Sequence, residues 1–212
     1  MTTYVLIPGA CHGGWYYDPI AADLRALGHE VHAPTLSRDG NLEDHTTEVL
    51  ALLDDLDDVV LAGHSYGGMV ITTVADRVPE KVAGLVYADA LVPGDGQSVW
   101  DLVNDHWRDW YISGSAHDGR SIAPLPFFDS RAFAHPLASL IQRPRITGAV
   151  DKITNRWYLL AKGTEFSPFT QFRDAYQDDP TWHVVEVDAP HNILDGGEAA
   201  LLEALKSAAS AS

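Results

Sequence analysis

Short apolar runs alternate with amphipathic stretches through the first ninety residues, and that alternation predicts strands joined by crossover helices. Tyr4 to Ile7 reads as a buried strand, Val31 to Ala33 as a short one, and Val59 to Ala62 and Val82 to Tyr87 as two more. Between the first two, Ile20, Leu24 and Leu27 recur on one helical face, and Gly28 supplies a stop. After the turn-rich segment Ser37 to Asn41, the residues Thr46, Val49, Leu50 and Leu53 share a face in the same way. A further helix runs from Met69 to Arg77 and ends near Pro79, which cannot continue it. This order specifies an α/β fold with a mostly parallel central sheet flanked by helices.

Periodicity fades from Pro93 to about Ile146, where five prolines accompany Trp100, Trp107, Trp110, Tyr111, Phe127, Phe128 and Phe133. It resumes in strands at Trp157 to Ala161 and His183 to Val187 and in a helix from Glu198 to Leu205; the small-residue stretch Ser207 to Ser212 reads as a frayed tail. The expected organisation is therefore a core in two parts, residues 1–94 and 151–212, interrupted by a short cap at residues 95–150. The aromatic side chains of the cap either build a small core of their own or line a substrate pocket between cap and sheet.

Composition narrows the function classes. The 212 residues are 46% hydrophobic and 21% charged, which suits a folded chain of single-domain size. A formal charge of −16 repels nucleic acid and anionic membrane faces, so neither is expected as a partner. With Cys11 as the one cysteine, no intramolecular disulfide forms. The strand at Tyr4 begins too early for a basic and apolar leader, and no apolar run approaches the ~20 residues of a membrane span. The compartment expected from these features is the cytoplasm.

The chemistry lies in Gly63-His64-Ser65-Tyr66-Gly67, between the strand ending at Ala62 and the helix beginning near Met69. A G-x-S-x-G pentapeptide in that context is a nucleophile elbow, its glycines admitting a turn too crowded for side chains and its serine projecting from the tip. Ser65 is the expected nucleophile. It needs a base carried after a late strand, and His191 follows Val184 to Val187 and precedes the last helix. His64 sits too close along the chain to turn back onto the serine and is expected to pack or hydrogen-bond nearby. The orienting acid belongs after the strand Trp157 to Ala161, where Glu165 is the carboxylate on offer; Asp89, after Val82 to Tyr87, is the alternative, and Asp151 trails both. An oxyanion requires two amide donors, one from Tyr66 and one from the loop Pro8 to Gly14. That loop has neither glycine spacing of a nucleotide site, so no cofactor is expected. His29 and His32 have no partner cluster, which removes a metal reading, and Cys11, unpaired with any base, is read as a small buried filler.

At these residues the chain resembles the α/β-hydrolase superfamily, in the branch of plant methyl esterases, hydroxynitrile lyases and related bacterial esterases. The resemblance rests on Tyr4 to Trp15, on Gly63 to Gly68 and on Leu85 to Pro93, and it is faintest in the cap. It implies Ser65 as nucleophile, His191 as base, and Ala10 and Tyr66 as the oxyanion donors. Where that family carries its acid, this chain has Thr164, with Glu165 one residue on. Where its lyases carry a threonine and a lysine, this chain has Gly9 and Asn192, which favours hydrolysis over cyanohydrin cleavage. The chain is also short for the branch, implying a reduced cap and a more open site. The expected function is hydrolysis of a small, largely apolar carboxylic ester, aromatic esters included, through an acyl-enzyme. The competing expectation, drawn from the displaced acid, is a non-hydrolytic cyclase, lyase or small-molecule binder on the same fold.

Overall fold

Six strands run parallel in the spatial order β2-β1-β3-β4-β7-β8 in a computed structural model of the chain, which describes residues 1–209. In sequence these are β1 (Thr3–Ile7), α1 (Asp18–Ala26), β2 (Glu30–His32), α2 (Leu42–Leu52), β3 (Val59–His64), α3 (Gly67–Arg77) and β4 (Val82–Ala88). After an insertion follow β7 (Arg156–Ala161), α7 (Thr170–Tyr176), β8 (Trp182–Val187) and α8 (Glu198–Ala209). The insertion holds α4 (Val99–Leu102), α5 (Asp105–Gly114), the antiparallel pair β5 (Ser121–Ile122) and β6 (His135–Pro136), and α6 (Leu137–Ile141).

Central strands are apolar throughout because both faces are covered. On one face Leu61, Leu85 and Tyr158 meet Val49 of α2 and Met69, Val70 and Val74 of α3; on the other Leu6, Val60, Val86 and Leu159 meet Ile20 and Leu24 of α1 and Leu201 and Leu205 of α8. The edge strand β8 is less covered, with His183 and Glu186 exposed and Trp182 and Val187 buried at its ends. Buried residues of the insertion, among them Val99, Leu102, Tyr111, Ile122 and Leu140, join the α2–α3 side of this core.

Two details depart from the sequence pattern. Leu27, expected on the buried face of the first helix, is 57% exposed: α1 ends at Ala26, and the amides of Gly28 and His29 turn back onto the carbonyls of Arg25 and Leu24. The tail is helical as far as it is described: α8 continues through Ala209, Ala208 is fully buried, and its carbonyl accepts from Asn155. Ser210 to Ser212 lie outside the described residues. No helix among the described residues is long and apolar enough to cross a membrane.

The insertion returns to the sheet over a carboxylate. Asp76, buried on α3, accepts from the amide and hydroxyl of Thr147 and from the amide of Val150. Burial pushes its carboxyl group up, but those donors more than offset it and the net shift is downward. A depressed carboxyl in the native state contributes stability that is complete above the ordinary aspartate range and is lost as pH falls through the native value. Asp76→Asn is therefore expected to lower stability at pH 7 by about 2 kcal/mol and to flatten the acid limb of stability against pH, as denaturant melts at several pH values would show.

Candidate active site

Ser65, His191, Asp89 and Glu165 all follow the carboxyl ends of parallel strands, where open α/β sheets place their ligands. Four of the five described non-glycine residues with positive φ, Cys11, Ser65, Asp89 and Phe166 at 67°, 52°, 44° and 49°, follow the ends of β1, β3, β4 and β7; the fifth, Asp58, precedes β3. Such backbone costs of order 1–3 kcal/mol per residue and persists where surrounding structure enforces it.

At Ser65 the enforcement is close packing. A Cβ on Gly63 would stand 2.6 Å from the carbonyl of Gly67, and one on Gly67 would stand 2.3 Å from the carbonyl oxygen of Ile7, so the elbow closes only with hydrogen in both places. The Leu91 amide then pins the Ser65 carbonyl from the loop after β4. Ser65 Oγ donates to His191 Nε2 at 3.1 Å, and His191 Nδ1 donates to Asp89 Oδ2 at 2.7 Å.

The carboxylate on the imidazole is thus Asp89 rather than Glu165. Asp89 is fully buried, and besides His191 it receives the Ala161 amide (3.0 Å) and the Thr164 hydroxyl (3.1 Å). Gly163 donates its amide to the Ala189 carbonyl, which fixes the loop after β7 with Thr164 turned inward and Glu165 exposed. Asp151 lies just before β7, at the opposite end of the sheet, paired with Arg156 at 2.9 Å.

His64 acts on the backbone of the base. Its Nε2 donates to the His191 carbonyl at 2.8 Å, while its ring stacks on Tyr16 with centroids 4.7 Å apart. Burial, with His191 nearby, holds its pKa well below the usual imidazole value, so it stays neutral. Around His191 the Phe169 ring stacks at 4.8 Å and 9°, and Trp107 of α5 meets it edge to face at 5.1 Å. The Trp107 indole and the Asn104 side chain both donate to the Phe166 carbonyl, joining the insertion to the β7–α7 loop.

Neither the Ala10 amide nor the Tyr66 amide has an acceptor among the described residues, which leaves both available to a ligand. The Tyr66 hydroxyl donates to His45 Nδ1 at 2.7 Å, a contact with no signature in the sequence. Burial pushes the Cys11 thiol up to about 12, and its sulfur faces the Ile122 carbonyl, so it is a packed thiol rather than a nucleophile. His29 accepts from the Thr2 amide and His32 pairs with Glu30. Among the described residues no group of three or more histidine, cysteine, aspartate or glutamate side chains is arranged to hold a metal ion.

Comparison with known proteins gives a consistent picture. The model of a family described as the alpha/beta hydrolase family matches residues 4–210. A carbendazim hydrolyzing esterase from Nocardioides sp. (strain SG-4G) is 35% identical, the match covering 92% of this chain and 94% of that protein. Salicylic acid-binding protein 2 of Nicotiana tabacum is 30% identical over 65% of this chain and 60% of its own length. Among solved structures, an extracellular alpha/beta-hydrolase from a Paenibacillus species superposes with a TM-score of 0.83 at 24% identity, covering 98% of this chain and 99% of that one. A pyrethroid hydrolase from Sphingobium faniae superposes at 0.75 and 23% identity, covering 99% and 98%. At such identities the superpositions speak to the fold.

The packing around Ser65 leaves no room at Gly9. A Cβ there would stand 2.8 Å from His64 Nδ1 and 3.0 Å from Ser65 Cβ, and the His64 ring is held by Tyr16. Gly9→Ala is expected to fold with about 1–3 kcal/mol less stability and to lose about 10- to 100-fold in kcat through misplacement of the serine. Thermal melts and aryl-ester kinetics on the same preparation check both.

Proposed function

Since the chain belongs to the alpha/beta hydrolase family and is a serine ester hydrolase, we propose that Ser65, His191 and Asp89 are its catalytic triad and that the Ala10 and Tyr66 amides are its oxyanion hole. The observation that carries the reading is the continuous relay from Ser65 Oγ through both nitrogens of His191 to Asp89. Ser65 attacks the ester carbonyl while His191 Nε2 takes its proton. The negative oxygen of the tetrahedral intermediate accepts from the two free amides, and His191 returns the proton to the departing alcohol. Water then repeats the sequence on the acyl-enzyme and releases the acid. Asp89 fixes the imidazole tautomer and stabilises its charged form.

The substrate of this reading is a small, largely apolar ester. Trp107 at His191 and Phe128 at His12, with centroids 4.9 Å apart, set flat apolar faces of the insertion over the site, which supports residues 95–150 as its cap. The relative named for carbendazim hydrolysis supports a small substrate, and those named methylesterases support an ester. The non-hydrolytic alternative drew on a missing acid, and the Asp89 contact removes that ground.

Ser65→Ala is expected to reduce turnover of short aryl esters about a millionfold. Asp89→Asn is expected to reduce it about ten-thousandfold with the fold intact, while Glu165→Gln stays within twofold of the parent (~2-fold, as for an exposed group outside the site). A large loss in the Glu165 variant with the Asp89 variant near parental turnover would return the acid to Glu165.

A further inference from the structure

Beside the nucleophile opens a small cleft, on the scale of one water or hydroxyl group, to which the triad gives no task. Gly9 and Tyr66 form its wall toward Ser65, and His12, His45 and His135 line it from three separate segments. Each imidazole has a nitrogen committed to a fixed partner. His12 Nδ1 donates to the Ala10 carbonyl at 2.8 Å. His45 is spent on both sides, with Nε2 donating to the Ser37 carbonyl (2.9 Å) and Nδ1 accepting from Tyr66. His135 Nε2 donates to Ser139 Oγ at 2.8 Å, because that hydroxyl gives its own proton to the Pro136 carbonyl.

These partners fix the tautomers, since a neutral imidazole that donates from one nitrogen presents a bare lone pair on the other. Burial lowers the pKa of all three rings, that of His135 to about 3, so they remain neutral. His12 Nε2 and His135 Nδ1 are left over. Neither has a partner among the described residues, and neither is one of the buried side-chain atoms closed off without one. Two of the rings that line the cleft therefore each carry an acceptor of fixed character, beside Ser37, whose hydroxyl adapts to either role. A group without a donor would dry both lone pairs and satisfy neither.

Resting on the ester-hydrolase reading above, we infer that the substrate carries an N–H or O–H donor next to its scissile carbonyl, and that His12 and His135 are the specificity-determining residues that accept from it. An apolar cleft would select only for size; this one selects for a proton to share.

The test compares 4-nitrophenyl hydroxyacetate with 4-nitrophenyl methoxyacetate, each kcat/KM normalised to the alkaline rate of the same ester, with 4-nitrophenyl acetate as the donor-free reference. The parent is expected to favour the hydroxyacetate about tenfold. His12→Asn keeps an amide N–H for the Ala10 carbonyl and His135→Gln keeps one for Ser139, while each removes the free ring nitrogen. Either substitution is expected to bring the ratio toward one. A ratio at or below one in the parent, or one that neither substitution moves, overturns the inference. Binding of phenyl hydroxyacetate and phenyl methoxyacetate to Ser65→Ala, measured by calorimetry, reads the same preference without turnover. If none of the three esters is hydrolysed, the ester-hydrolase reading fails, and the phenyl ester pair alone decides the donor preference: about tenfold tighter binding of the hydroxy compound sustains it and equal binding ends it.

Discussion

A carboxylate with no exposed surface, at the end of an apolar strand, is the constraint on which this molecule turns. Burying such a charge costs several kcal/mol unless it is fully hydrogen-bonded, and Asp89 meets that demand with the Ala161 amide, the Thr164 hydroxyl and the His191 ring. Those donors come from β7, from the loop after it and from the loop after β8, so one charge aligns three separate segments. Neighbouring bonds hold the arrangement: the Asp89 amide donates to Leu159 at 2.7 Å, and the Tyr158 hydroxyl bridges the carbonyls of Ala90 and Phe169. Satisfying Asp89 and orienting the base are the same event.

Much of this was legible in the chain. Alternation of apolar runs with helical stripes gives the parallel sheet, because strands covered on both faces read as continuous hydrophobic segments. Ser65 is legible because glycine on either side of a serine between strand and helix has a steric meaning, and His191 because the chemistry requires a base beyond a late strand. The acid was misplaced because Glu165 was chosen by position in a loop, and a residue's place along a loop does not say where its side chain points. A sharper signal lay in the strand itself: Asp89 is the one charged residue between Val82 and Pro93. A carboxylate embedded in such a run is forced inside and must find donors there. The cleft histidines had no comparable signal, since His12, His45 and His135 meet only when the β1 loop, α2 and β6 dock.

Rings rather than further hydrogen bonds confine the base. Phe169 covers one face of His191, His64 leans on it at 4.7 Å, and Trp107 closes from the insertion. Flat neighbours restrict tilt of the imidazole without competing for its nitrogens, so both stay committed to Ser65 and Asp89. Because Trp107 is tethered to Phe166 in the loop that also carries Thr164, the insertion is tied to the surroundings of both the base and the acid.

The contact between Ser65 and His191 joins positions 126 residues apart in sequence. Loop-closure entropy opposes contacts of that span, and they arise only after the intervening strands have paired. During synthesis the chain accordingly gains its chemistry only when the segment after β8 has emerged and docked. The same topology makes hydrolysis a reporter of the C-terminal third: any local opening that releases the β8–α8 loop silences the enzyme while most of the sheet stays intact.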